Sequence, residues 1–137
     1  MNAESTIEAY YEALRTGDSL AAFFCEEPGA VKIGVGEELY GFADIARGLR
    51  DQTDRTSAWT VDSRSLRVTE RELFAWFSDT VRMEWRDDRK AKTYDYDTRW
   101  TGTLEYRSQT DSWRFVSIHV SVAVETDSLE DELFGEL

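Results

Sequence analysis

The chain has one cysteine, one proline, one histidine and three lysines among its sixteen basic residues, and each scarcity removes a class of explanation. A lone Cys25 excludes an intramolecular disulfide and any cysteine-cluster metal site. The single histidine, His119, with acids scattered rather than grouped, gives no metal-ligand spacing, so neither a metal nor another cofactor is expected. Nucleophilic catalysis is also poorly served, because Cys25 follows Phe23 and Phe24 in an apolar stretch with no base beside it. No apolar run approaches the ~20 residues that span a bilayer, and Met1-Asn2-Ala3-Glu4 lacks the basic and apolar regions of a secretion leader. A cytoplasmic protein with no membrane partner is therefore expected. Positive charge is short as well: the formal net charge is −12, which argues against nucleic acid, since phosphate recognition needs a basic stripe that releases counterions.

What is abundant is acid, spread along the whole chain, with arginine in preference to lysine. That combination suits a high-salt, halophilic cytoplasm, where self-repulsion is screened within ~3 Å at molar ionic strength; an ordinary acidic soluble protein is the alternative. At 137 residues the chain fits one domain, 1–137, able to bury a core without staples.

Ile7, Tyr10, Tyr11 and Leu14 recur at helical spacing, and Thr16-Gly17-Asp18 stops that helix. Residues 19–25 read as a short second helix closed by Glu26-Glu27-Pro28-Gly29, where proline cannot continue the ladder. Residues 30–34 form a short strand. Phe42, Ile45, Ala46 and Leu49 share one face of a third helix over 42–51. Beyond it the chain alternates and is rich in β-branched and aromatic residues over 57–68, 73–85, 93–107 and 112–124, separated by polar turns. Helices first and meandering strands second predict an α+β fold, with helices covering one face of a curved antiparallel sheet. Phe74, Trp76 and Ser78 point opposite to Ala75, Phe77 and Asp79. Because both rows hold large apolar groups, a second subunit is the natural cover for the other face, giving a homodimer through the sheet. The acidic tail, 126–137, sets Leu129, Leu133, Phe134 and Leu137 among five carboxylates, as either a helix docked on a neighbour or a loose end.

Three stretches carry a resemblance: Tyr40-Gly41-Phe42-Ala43-Asp44-Ile45, Thr98-Arg99-Trp100-Thr101, and Trp113-Arg114-Phe115-Val116-Ser117-Ile118-His119-Val120-Ser121. The chain resembles the SnoaL-like branch of the nuclear transport factor 2-like superfamily, and is similar also to the association domain of calcium/calmodulin-dependent kinase II. The resemblance implies a cone: a strongly bent sheet wrapped around helices, with a pocket at the open end and a dimer through the convex face. It implies too that the arginine of Thr-Arg, here Arg99, points into the cavity. The last strand of relatives often carries His-x-His-x-Ser; His119 and Ser121 match its second half, while Ser117 stands at the first histidine position.

If Arg99 and His119 lie on paired strands whose opposed residue numbers sum to an even value, then Arg99, Thr101, His119 and Ser121 share one face. A guanidinium fork suits a carboxylate and an imidazole suits a hydroxyl or carbonyl, so together they would hold a small, carboxylate-bearing organic ligand. In the alternative, Arg99 pairs with an internal carboxylate such as Asp79 or Asp97, and His119 is a satisfied core residue. Tyr10 and Tyr11 offer phenols at the pocket, and Phe42, Trp59, Trp76 and Trp100 an apolar wall, although aromatics at strand period are first of all packing. The superfamily's cofactor-free isomerases, cyclases and dehydratases imply proton transfer, for which His119 is the first candidate base and Asp79 the second. The competing reading is a non-catalytic binding or assembly module.

Overall fold

A computed structural model describes residues 1–123; the acidic tail 126–137 lies outside the described residues. Helix α1, Ala3–Thr16, begins at Asn2, whose side chain accepts from the Ser5 amide at 2.8 Å, and ends at Gly17, whose φ of 74° lets the chain turn left-handed. Its buried face holds Ile7, Tyr10, Tyr11 and Leu14, the stripe expected from spacing alone, together with Ala3, Thr6 and Ala13. The segment expected to be a second helix makes a single 3₁₀ turn, Ala21–Phe23. Phe24 leaves it extended and bridges Phe115, so sheet pairing takes the residues that a longer helix would need. Helix α2, Phe42–Arg55, buries Ile45 and Leu49 and runs four residues past the expected end.

Among the described residues seven strands form one sheet: β1 (Val31–Gly34), β2 (Glu37–Tyr40), β3 (Thr56–Ser63), β4 (Arg67–Glu70), β5 (Phe74–Asp87), β6 (Lys92–Arg107) and β7 (Ser112–Val122). Their order is β2-β1-β7-β6-β5-β3, with β4 also pairing β5. Two details differ from expectation. The stretch 57–68 is two strands, both antiparallel to β5, because Arg64 and Ser65 leave the ladder: the Arg64 amide meets Thr80 O, and the Ser65 amide meets the Asp79 carboxylate at 3.0 Å. A short strand β2 also follows β1, and β1 lies parallel to β7, the one parallel pair among the described strands. Neither was legible in segments this short and only weakly patterned.

Alternation sorts the sheet into two faces. On the inner face Ala75, Phe77, Val81 and Met83 of β5, Trp100 and Leu104 of β6, and Phe115, Ile118 and Val120 of β7 pack under α1 and the 3₁₀ turn. Tyr10 sits at the centre, edge-on to Phe23, Phe24, Trp100 and Phe115 at centroid distances of 5.2–6.1 Å. Close packing of β6 on β7 depends on Gly102, since a Cβ there would stand 2.5 Å from the Ser117 carbonyl and 2.6 Å from the Phe77 ring. In β3 a bulge between Ser57 and Thr60, with Ala58 at φ 55°, re-aims Trp59 onto Trp85, ring on ring at 5.0 Å.

Candidate functional site

Between α1, α2 and the long end of β5, the inner face of the sheet becomes one wall of a cavity of about 220 Å³. Leu14 and Tyr10 of α1, Trp59 of β3, Met83 and Trp85 of β5, Trp100 of β6 and Val120 of β7 supply its apolar surface. An apolar cavity of ~150 Å³ is enough for benzene, so this one accommodates a single substituted ring.

Polar groups enter from two sides. On the β1–β2 side, Lys32 is buried, its side chain 7% exposed, and its ammonium pairs with Glu37. Burying an ammonium is tolerable only when it is paired. Lys32 occupies the inward position on β1, and Glu37 folds back over Gly34 to reach it. Across the cavity, Arg55 donates to Asp87 at 2.7 Å. Burial would raise the Asp87 carboxyl, but the Lys90 amide, the Arg55 guanidinium and the Arg89 amide outweigh it and hold the group below the ordinary carboxylate range. The Tyr10 side chain also lines the cavity, and among the described residues its hydroxyl has no hydrogen-bond partner. Burial, and after it the Glu37 carboxylate, raises the Tyr10 phenol far above its usual value, so it stays a neutral donor.

The residues expected from sequence divide between three places. Tyr10, Trp59 and Trp100 line the cavity. Tyr11 and Asp79 face inward but are spent on each other: the Tyr11 hydroxyl donates to Asp79 at 2.9 Å, and Asp79 also accepts from the Ser63 hydroxyl at 2.6 Å and from the Ser65 amide. A carboxylate so occupied is a clamp between α1, β3 and β5. Phe42 packs partly buried against the core and does not line the cavity.

Arg99, Thr101, His119 and Ser121 do share one face, with Arg99 opposite Ser121 and Thr101 opposite His119, sums of the expected parity. That face is the outer one. The expectation that these four look into the cone is corrected here, and the physical reason is the alternation itself. Trp100, Ile118 and Val120 interleave with them, and the helices cover the apolar row, which leaves the polar row outside. Neither suggested pairing is made: Arg99 donates to the Ser121 hydroxyl at 3.2 Å, while Asp97 faces Arg64 and Arg82. Trp76 is on the outer face too, 47% exposed, with Arg71 over its ring at 5.3 Å.

On that face the ladder aligns Arg67, Ser78, Thr101 and His119 in one row and Thr69, Trp76, Thr103 and Ser117 in the next. Together they floor a wide hollow of about 530 Å³. Thr80, Arg99 and Ser121 make a third row. These three rows contain no carboxylate, in a chain of 28 acidic residues.

Sequence reasoning missed Lys32, Glu37, Arg55 and Asp87. One signal was available: in a chain that prefers arginine, Lys32 is a lysine set in the apolar strand Ala30-Val31-Lys32-Ile33.

Residues 3–125 match the family described as the SnoaL-like domain. No curated protein sequence matches the chain. Among solved structures, the chain is similar to a nuclear transport factor 2-like superfamily protein from Salmonella enterica serovar Typhimurium (TM-score 0.76, 17% identity, 89% of each chain covered). It is similar also to a protein of that family from Streptomyces avermitilis, provisionally described as a dehydratase (TM-score 0.76, 16% identity, 89% of this chain and 94% of that one). A third, from Xanthomonas campestris, is provisionally described as a calcium/calmodulin-dependent kinase II association domain (TM-score 0.72, 17% identity, 90% and 86%). At these identities the likeness speaks for the fold alone, and the fold is nuclear transport factor 2-like.

Proposed function

The chain belongs to the SnoaL-like domain family, and from that premise we propose that it binds one small, ring-sized organic molecule inside the cone, with an oxygen of the ligand toward Tyr10 and Lys32. The observation that carries this reading is a ring-sized cavity with an aromatic and aliphatic wall onto which the Tyr10 side chain and the Lys32 ammonium both open, its other charged groups being paired across from them. The Tyr10 hydroxyl borders the cavity and makes no hydrogen bond to a described residue, so a ligand oxygen there would meet a ready donor. The chemistry that suits the site is proton transfer without a cofactor, of the isomerase, cyclase or dehydratase kind.

A binding screen of small oxygenated aromatic and alicyclic compounds, read by tryptophan fluorescence and calorimetry, tests this on the wild type and on Val120→Phe, which fills the cavity. Binding that disappears in a folded Val120→Phe protein is the expected result. Binding that survives there and is lost in Arg99→Ala/His119→Ala would place the ligand on the outer face and overturn the reading.

The outer face supports a second role, as the contact surface of a homodimer. The three rows across its middle are free of carboxylates, so two copies of a strongly acidic chain could approach there with the least repulsion, and Trp76 is exposed on one of them. Sedimentation at micromolar protein is expected to give a dimer for the wild type and a monomer for Trp76→Glu; a wild-type monomer would remove this part of the proposal.

A further inference from the structure

The polar end of the cavity presents donors, and the one acceptor among them is movable. Lys32 holds an ammonium with three N–H groups, of which the only side-chain partner among the described residues is Glu37. The Tyr10 hydroxyl adds a further donor. The two partners of the ion pair are unequally buried: the Lys32 side chain is 7% exposed and that of Glu37 is 32% exposed. Glu37 opens β2 directly after the turn at Val35-Gly36, where Gly36 has a φ of 83°. A rotation of its own side chain therefore takes the carboxylate into water, whereas Lys32 is fixed in mid-strand on β1. The remaining carboxylates on the cavity, Asp51 and Asp87, are engaged with Arg55 on the opposite side.

Resting on the cavity reading above, we propose that the ligand is a ring-bearing monocarboxylate and that Glu37 is its internal stand-in. The ligand carboxylate replaces Glu37 on the Lys32 ammonium and accepts the Tyr10 hydroxyl, while Glu37 turns out to solvent. A carboxylate accepts only, through two oxygens, and so matches a set of donors that a neutral amide or alcohol would satisfy in part. The exchange swaps one charge-assisted pair for another and leaves no buried ammonium alone, which keeps Lys32 tolerable both with and without ligand. Gly34 makes the resting state possible. A Cβ at that position would lie 2.7 Å from Glu37 Oε1 and 2.8 Å from its Cγ, so only a bare glycine lets the glutamate lie back across the strand. Gly34 does not have a left-handed φ, so its backbone admits alanine.

That geometry supplies two independent ways of unmasking Lys32. Glu37→Gln removes the competing charge and keeps the shape. Gly34→Ala keeps every charge and pushes the glutamate away by contact. The probes are benzoate and its neutral amide, benzamide, titrated by calorimetry at fixed pH and ionic strength. Wild type is expected to favour benzoate over benzamide. Both variants are expected to tighten benzoate about tenfold, the size of one charge-assisted hydrogen bond, and to leave benzamide within about twofold. Lys32→Met is expected to erase the preference. Benzoate binding that weakens in Glu37→Gln and Gly34→Ala would show that Glu37 contacts the ligand rather than competing with it, and would overturn the proposal. Equal binding of the two probes, both lost in Val120→Phe, would defeat this proposal while the cavity reading stands. Failure of both probes to bind any of the folded proteins would defeat both.

Discussion

Tyr10 and Tyr11 are neighbours on α1, both all but fully buried, and removing one oxygen from each is expected to give opposite results. The Tyr11 hydroxyl donates to the Asp79 carboxylate at 2.9 Å, and its ring meets Trp100 edge-on at 5.3 Å. Tyr11→Phe keeps the ring contact and deletes a hydrogen bond to a charged, buried acceptor, a loss of about 1.5–3 kcal/mol. Asp79 retains Ser63 and the Ser65 amide, so the cost should not exceed that range. For a domain of this size the melting temperature should fall by about 5–10 °C. Tyr10→Phe deletes a hydroxyl that bonds to no described residue, so its stability should stay within about 0.5 kcal/mol of wild type, while ligand binding weakens. Urea denaturation, with m-values checked for constancy, measures the stability half, and calorimetry with benzoate measures the other. Equal destabilisation by the two substitutions, or a binding loss confined to Tyr11→Phe, would refute the division of this helix into a clamp and a cavity residue.

Three further outcomes follow from the same structure. Gly102→Ala places a methyl against the Ser117 carbonyl and the Phe77 ring and should destabilise by about 1–3 kcal/mol; a neutral effect in denaturation would show that β6 and β7 are packed more loosely than described. The depressed carboxyl of Asp87 contributes stability that is present above the ordinary carboxylate value of about 4 and is lost as pH falls through its lower folded value. Asp87→Asn should therefore flatten the stability profile below about pH 4, and an unchanged slope would contradict the Arg55–Asp87 linkage. A net charge of −12 also implies a melting temperature that climbs between low and molar potassium chloride as self-repulsion is screened; a salt-independent value would remove the high-salt reading.

The α+β class, the stripe of α1 and three of the four long strands were legible, as was the shared face of Arg99 and His119 once an even-sum register is given, because each rests on a local period that side-chain direction obeys. What periodicity does not encode is which of two alternating rows a distant helix will cover. On β6 and β7 both rows carry polar and apolar groups, and the decision fell to the bulkier set of Trp100, Leu104, Ile118 and Val120. Arg99 and His119 went outside as a consequence of their neighbours rather than of their own chemistry. The Lys32–Glu37 pair was hidden for a different reason. It depends on a tight β1–β2 turn and on a bare Gly34, and strands of four residues carry too little pattern to fix a register. The polar motif residues Arg99, His119 and Ser121 thus proved easy to find and lie away from the cavity, whereas Lys32 and Glu37 stand in a stretch without a motif.

The claim on which the account turns is that the ligand enters the cone and not the hollow on the outer face. Fluorine NMR of 4-fluorobenzoate, titrated into Val120→Phe and into Arg99→Ala/His119→Ala beside the wild type, addresses it directly. Broadening and shift of the probe should vanish with the filled cavity and persist with the stripped outer face; the reverse pattern would contradict the account.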